Sequence, residues 1–295
     1  MPADPENQTV RTALVQMACT PDRDANRDAA EARVREAAAG GAHIVCLQEL
    51  FDAQYFPQTV DVAGYDLAEP IPSPTTERFA RLAGELGVVL VLPVFEEAQP
   101  GVYFNSVVVF DADGSTVDKY RKTHIPDGPQ YLEKFYFTPG DLGYKVFPTR
   151  FGTIGVAICW DEWFPEVARI MALMGAQILF YPSAIGSEPD RPELSTAEAW
   201  RTGIRAHGIA NGVFVAAVNR VGVEADMTFY GQSFLSGPLG DVLAEGGADP
   251  AIVTADLNLA EIRDVRNLLH FLRDRRVDTY GPLLKQLVEP SGGAP

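Results

Sequence analysis

The chain predicts an α/β fold in which helices cover a mixed sheet. Two observations carry that expectation. Strand-like and helix-like stretches alternate along most of the 295 residues, with hairpins interleaved. Runs such as Val88-Val89-Leu90-Val91-Leu92 are apolar on both faces, as strands enclosed between layers must be. Hydrophobic residues make up 46% of the chain, enough for a sizeable core in one large domain or two small ones.

Taken in order, residues 11–17 read as a strand. Residues 23–39, rich in Ala, Arg and Glu, read as a surface helix stopped by Gly40-Gly41. The apolar run 42–47 is a second strand leading straight into Gln48-Glu49, and residues 75–86 form a helix ended by Gly87. Strand 88–93 follows, then a hairpin of 105–110 with 116–121 around the turn Asp111-Ala112-Asp113-Gly114-Ser115. Residues 122–143 form a polar and aromatic loop, long enough to suggest a functional role. Beyond it lie strand 153–158, helix 165–174, strand 177–181, helix 195–210, strand 213–219 and two further strands, 231–236 and 251–256. The polar stretch from Arg263 reads as a C-terminal extension.

Composition narrows the function. Three cysteines, Cys19, Cys46 and Cys159, are too few and too scattered for a disulfide framework. The four histidines have no metal-ligand spacing, so neither metal nor haem is expected. A net charge of −16 opposes nucleic-acid binding and gives a weak hint of a cationic small molecule. The first eight residues are polar and acidic, and no apolar run is long enough to span a membrane, so a cytoplasmic protein is expected.

Cys159 carries the chemistry. The run Gly155-Val156-Ala157-Ile158 ends abruptly at this thiol, with Trp160-Asp161-Glu162-Trp163 and a Pro165-led helix after it. A thiol at a strand end is held rigidly yet faces the open rim of a sheet, where a nucleophile must stand. Glu49 ends another strand, Lys122 ends the hairpin, and Glu133 lies in the long loop.

With these residues in view, the chain resembles the nitrilase, or carbon–nitrogen hydrolase, superfamily from about Arg11 to Asp256. The resemblance rests on Gln48-Glu49-Leu50, Tyr120-Arg121-Lys122-Thr123-His124, Glu133 ahead of a Phe-Tyr-Phe run and Gly140, and Ile158-Cys159-Trp160-Asp161 with Phe164-Pro165-Glu166. It implies a four-layer α-β-β-α sandwich with two mixed sheets. It also implies a Glu49–Lys122–Cys159 triad helped by Glu133, working without a cofactor. In physical terms, Glu49 can take the thiol proton and return it to a departing amine. Lys122 offers fixed positive charge to a developing oxyanion. The N–H of Trp160 is a natural second donor, and Glu133 can orient Lys122 or serve in deacylation.

Relatives that hydrolyse N-carbamoyl amino acids carry arginines shortly after the cysteine, whereas this chain has Glu162 and Trp163 there and no arginine before Arg169. A cationic or neutral substrate tail is therefore expected, since an anionic one would meet Asp161 and Glu162. Residues 124–141 and 180–189 are similar to the N-carbamoylputrescine amidase branch. Glu188 is then the first candidate partner for a distal ammonium and Asp161 the second. Tyr55, Phe56, Trp160 and Trp163 are candidate pocket walls. An amidase acting on a short aliphatic amide or a β-ureido acid is the alternative, with an acyltransferase behind it. By analogy with the superfamily, residues 1–257 are expected as the hydrolase domain. Residues 258–295 are then an extension that could cross to a second subunit of a homodimer or higher homo-oligomer.

Overall fold

The computed structural model describes residues 9–288, most of them in an α-β-β-α sandwich of two six-stranded sheets. In the first sheet β1 (Thr9–Gln16), β2 (Ile44–Leu47) and β3 (Val89–Gln99) run parallel. The antiparallel β4 (Val102–Phe110) and β5 (Thr116–Arg121) extend it past β3, and β14 (Ala251–Asn258) pairs with β1 at the other edge. The second sheet repeats the plan. Here β7 (Gly152–Val156), β8 (Ile178–Pro182) and β9 (Phe214–Val218) are parallel, with β6 (Val146–Thr149) antiparallel on one edge. On the other edge stand β12 (Phe234–Ser236) and β13 (Val242–Glu245). A separate hairpin, β10 (Val221–Glu224) with β11 (Met227–Tyr230), follows β9.

Period-two alternation explains the layering. In β1, Val10 and Leu14 pack into the core shared with the second sheet, whereas Ala13 and Val15 face the helical layer. That layer is α1 (Arg23–Ala39) and α2 (Pro74–Leu86), which bury Ala30, Val34, Phe79 and Leu82. The helices α4 (Pro165–Leu173) and α5 (Ala197–Asn211) cover the second sheet through Val167, Met171, Trp200 and Ile204. Local signals set the helix ends. Asp22 accepts from Asp24 N and Ala25 N at the start of α1, and Ser73 with Thr76 forms a capping box at α2. Caps of this kind stabilise by about 1 kcal/mol each. At Gly87 the chain leaves α2 with φ 68°, a left-handed turn that glycine adopts without cost.

The structure alters several boundaries. Strand 88–93 runs on to Gln99 and turns at Pro100-Gly101 into β4, so a longer hairpin precedes the expected one. The long loop contains the short helix α3 (Glu133–Tyr136). The segment expected as an extension from residue 258 opens with α6 (Ala260–Leu269), and Leu259 and Ile262 join the central core. The packed body thus passes the expected boundary, because the apolar residues of α6 recur at helical spacing among its charges. Residues 270–288 add two short 3₁₀ turns and leave Leu284 and Leu287 exposed. The polar segment 1–8 and the end of the extension, 289–295, lie outside the described residues. Among the described residues no helix is long and apolar enough to cross a membrane.

Candidate active site

The site forms where strands end. Glu49 follows β2, Lys122 follows β5, Glu133 opens α3 and Cys159 stands three residues beyond β7. The loop after β5 folds back closely. Gly140 N–H donates to the Lys122 carbonyl at 2.8 Å, and a Cβ at Gly140 would sit 2.1 Å from the Arg121 carbonyl oxygen. Only glycine fits there, and its fit brings residues 133–140 against the strand end that carries Lys122.

Three of the four expected residues touch directly. Lys122 Nζ donates to Glu49 Oε1 at 2.8 Å and to Glu133 Oε2 at 2.7 Å, and all three side chains are fully buried. Tyr55 OH donates to the other Glu133 oxygen at 2.6 Å. Asn105, in β4, donates from Nδ2 to Glu49 Oε1 at 2.7 Å. Glu49 Oε2 is buried and has no hydrogen-bond partner among the described residues, which leaves one carboxylate oxygen available for a proton.

Charge explains the protonation states. Burial alone would strip the proton from Lys122, but Glu133 and Glu49 outweigh it and hold the ammonium well above its usual range. Burial lifts Glu133 to about 7, helped by the negative charge of Glu49 and opposed by Lys122. Burial first, then the charge of Glu49, pushes the Cys159 thiol well above its usual value, with Lys122 pulling the other way. With both carboxylates ionised the cluster carries a net −1. A thiolate beside it would add a second buried negative charge, whereas moving the thiol proton onto Glu49 leaves the total unchanged. The arrangement therefore favours a neutral thiol at rest that is deprotonated as it attacks.

Cys159 opens a short 3₁₀ helix, Cys159–Trp163, with φ 45°, a left-handed conformation costing a non-glycine residue on the order of 1–3 kcal/mol. Asp161 holds this elbow. Its carboxylate accepts from Ile158 N (3.1 Å), His124 N (2.9 Å) and Tyr120 OH (2.7 Å), and lies 2.8 Å from His124 Nδ1.

The thiol opens into a cavity of about 360 Å³, within the range of small-molecule sites. Its walls include Pro126, Pro129, Trp160, Trp163 and Ile185, with Glu188 at the rim. Trp160 is 40% exposed there. The half-buried Glu188 carboxylate has neither a hydrogen bond nor an ion pair among the described residues, and burial raises its pKa.

Two expectations need correction. Asp161 does not face the cavity, because its oxygens are committed to the elbow. Glu162 is likewise turned away, accepting from Ser183 OH at 2.7 Å and Trp200 Nε1 at 2.6 Å. The carboxylates that line the cavity belong to Glu188 and Asp127 instead. Tyr55 and Phe56 are not pocket walls. Tyr55 is 1% exposed and stands behind Glu133, and Phe56 stacks on Phe95 with ring centroids 5.1 Å apart. Asn105, Tyr131 and Arg220 were not singled out in the sequence. Tyr131 lines the cavity and accepts from Gly186 N–H, and Arg220 grips the chain after Glu49.

Residues 11–267 match the carbon-nitrogen hydrolase family model, and the chain belongs to that family. It is 47% identical over 289 residues to an N-carbamoylputrescine amidase of Solanum lycopersicum, covering 95% of this chain and 96% of that protein. A citrullinase of Francisella tularensis is 39% identical, over 94% of this chain and 99% of its own. Among solved structures, a carbon-nitrogen hydrolase from Helicobacter pylori G27 superimposes with a TM-score of 0.92 at 42% identity, covering 95% of this chain and 100% of that one.

Proposed function

We propose that the chain is a cysteine-dependent amidohydrolase that converts N-carbamoylputrescine to putrescine, ammonia and carbon dioxide. One observation carries the reading: a buried thiol, backed by a lysine between two glutamates, faces an apolar cavity whose rim bears Glu188, a carboxylate with no partner among the described residues. The chemistry needs the first part and the substrate needs the second. A ureido group is planar and neutral and fits the floor, a four-carbon chain fits apolar walls, and a terminal ammonium meets Glu188. The identity to the Solanum amidase supports the same substrate.

In the reaction, Cys159 Sγ bonds to the ureido carbon as its proton passes to Glu49. The oxyanion forms beside Lys122 Nζ. The C–N bond to the terminal NH2 breaks, Glu49 returns the proton, and ammonia leaves a thiocarbamate on Cys159. Water, giving a proton to Glu49, attacks the same carbon. The S–C bond breaks, the thiol recovers its proton, and the released carbamic acid splits into carbon dioxide and the amine. Glu133 and Tyr55 hold Lys122 in place throughout, and no cofactor is required.

Ammonia release from N-carbamoylputrescine, citrulline, N-carbamoyl-β-alanine and aliphatic amides tests the substrate. We expect the first to give the highest kcat/KM; preference for an anionic ureido acid or a simple amide would overturn it. Release of a new urea from a carbamoyl substrate, or of a new amide from an aliphatic amide, when an amine is added would instead reveal acyl transfer. A cytoplasmic location accords with three free cysteines. We also read the exposed Ile170 and Leu173 of α4 and Met174 just past its end, with Leu284 and Leu287 of the tail, as contacts to a second copy in a homodimer. Light scattering that gives a monomer mass would contradict that assembly.

A further inference from the structure

Arg220, just beyond β9, is fully buried and belongs to no step of the reaction above. Its guanidinium donates to three carbonyls in the segment that follows β2: Glu49 at 3.0 Å, Leu50 at 2.7 Å and Ala53 at 2.9 Å. That segment turns through Leu50 at φ 49°, a conformation a leucine rarely adopts unsupported. Glu224, at the end of β10, accepts from Arg220 Nη1 at 2.8 and 3.0 Å and from Tyr55 N–H at 2.5 Å. Tyr55 in turn holds Glu133. The contacts close a ring: Arg220, Glu224, Tyr55, Glu133, Lys122, Glu49 and back to Arg220 through the Glu49 carbonyl.

The geometry points to Arg220 and Glu224 as a pair of positioning residues that set the Glu49–Lys122–Glu133 cluster from behind. The inference rests on the function proposed above. One buried ion pair fixes the backbone of the proton-transferring carboxylate and, through Tyr55, the orientation of the second carboxylate. A bare structural role would look different, because the hairpin carrying Glu224 also supports the rim. Ser187 N–H donates to the Thr228 carbonyl at 2.8 Å, and Thr228 N–H donates to Ser187 Oγ at 2.9 Å, one residue from Glu188. A hairpin that merely loosened would disturb rim and floor together. A positioning role disturbs the floor alone.

Glu224→Gln keeps the shape and the acceptor for Tyr55 N–H but removes the charge facing Arg220. We expect kcat for N-carbamoylputrescine to fall about 10–100-fold with KM within about twofold, the range seen when a group that orients a catalytic residue is lost. The pH dependence of iodoacetamide alkylation at Cys159, read by peptide mass spectrometry, should shift as well. Because the alkylation needs no substrate, it separates this inference from the choice of substrate: an altered alkylation profile in an enzyme inactive on N-carbamoylputrescine would retain the pair and reject the amidase reading. Tyr55→Phe combined with Glu224→Gln should cost less than the product of the two single losses. Glu224→Asp keeps the charge on a shorter arm; it should recover part of kcat and serves where the glutamine variant does not fold. A folded variant with kcat and alkylation profile within about twofold of the parent, or with KM and kcat worsening in parallel, would overturn the inference.

Discussion

The floor and the rim of the cavity are built on opposite principles. The floor is Cys159, and out of contact with the cavity beneath it Glu49 and Glu133 are fully buried and hydrogen-bonded to the equally buried Lys122, with Tyr55 and Asn105 holding the two carboxylates. At the rim, Trp160 is 40% exposed and Glu188 has no partner among the described residues. A group that stabilises developing charge acts best when it is already in place and shielded from water. A group that selects among substrates must have an unmet need that the right ligand fills. The difference assigns turnover to the floor and affinity to the rim, and mutations in the two regions should separate kcat from KM.

The largest effect belongs to the sulfur. Cys159→Ala should remove ammonia release by at least about 10⁴-fold while circular dichroism stays unchanged, since no bond can form to the substrate carbon. Lys122→Ala should lower kcat about 10²–10³-fold, as expected for a lost oxyanion donor. It also leaves two buried carboxylates without their cation, so a thermal melt should show a marked loss of stability. Tyr55→Phe removes one of the two donors to Glu133, and a fall in kcat of about tenfold with unchanged KM is expected in initial-rate assays.

At the rim, Glu188→Gln should raise KM for N-carbamoylputrescine about five- to tenfold, a partly exposed pair being screened by solvent, and leave KM for a neutral amide alone. The same carboxylate sets a pH signature. Burial raises its pKa, so it gains a proton earlier on acidification than an exposed glutamate would. KM for the cationic substrate should therefore climb as pH falls through that pKa, while KM for a neutral amide stays flat. An equal climb for both substrates would move the effect to the floor.

The sequence displayed the floor better than the rim. Glu49, Lys122 and Cys159 each follow a strand, and strand ends are readable from periodicity. Glu133 was readable only through its motif, since the four-residue α3 has no period of its own. Side-chain direction was not readable. Asp161 and Glu162 adjoin the nucleophile in sequence, yet the tight 3₁₀ turn sends both away from the cavity. Tyr55 was an aromatic without an address until the fold put its hydroxyl on Glu133. Arg220 reaches the Glu49 carbonyl across 171 residues, a contact that only the pairing of two separate sheets creates. The short strands β6, β10, β11 and β13 escaped notice because each holds only four residues and, unlike the equally short β2, none is an unbroken apolar run. The charged face of α6 hid the apolar residues that tie it to the core.

The division between floor and rim is tested most directly with two substrates that share one reacting group. N-carbamoylputrescine and N-carbamoyl-β-alanine present the same ureido carbon and differ chiefly in the charge at the far end. Steady-state ammonia release from both should give kcat values within about an order of magnitude but a far lower KM for the cation, and Glu188→Gln should erase most of that gap. Equal KM values in the parent enzyme, or a gap that survives Glu188→Gln, would contradict the account.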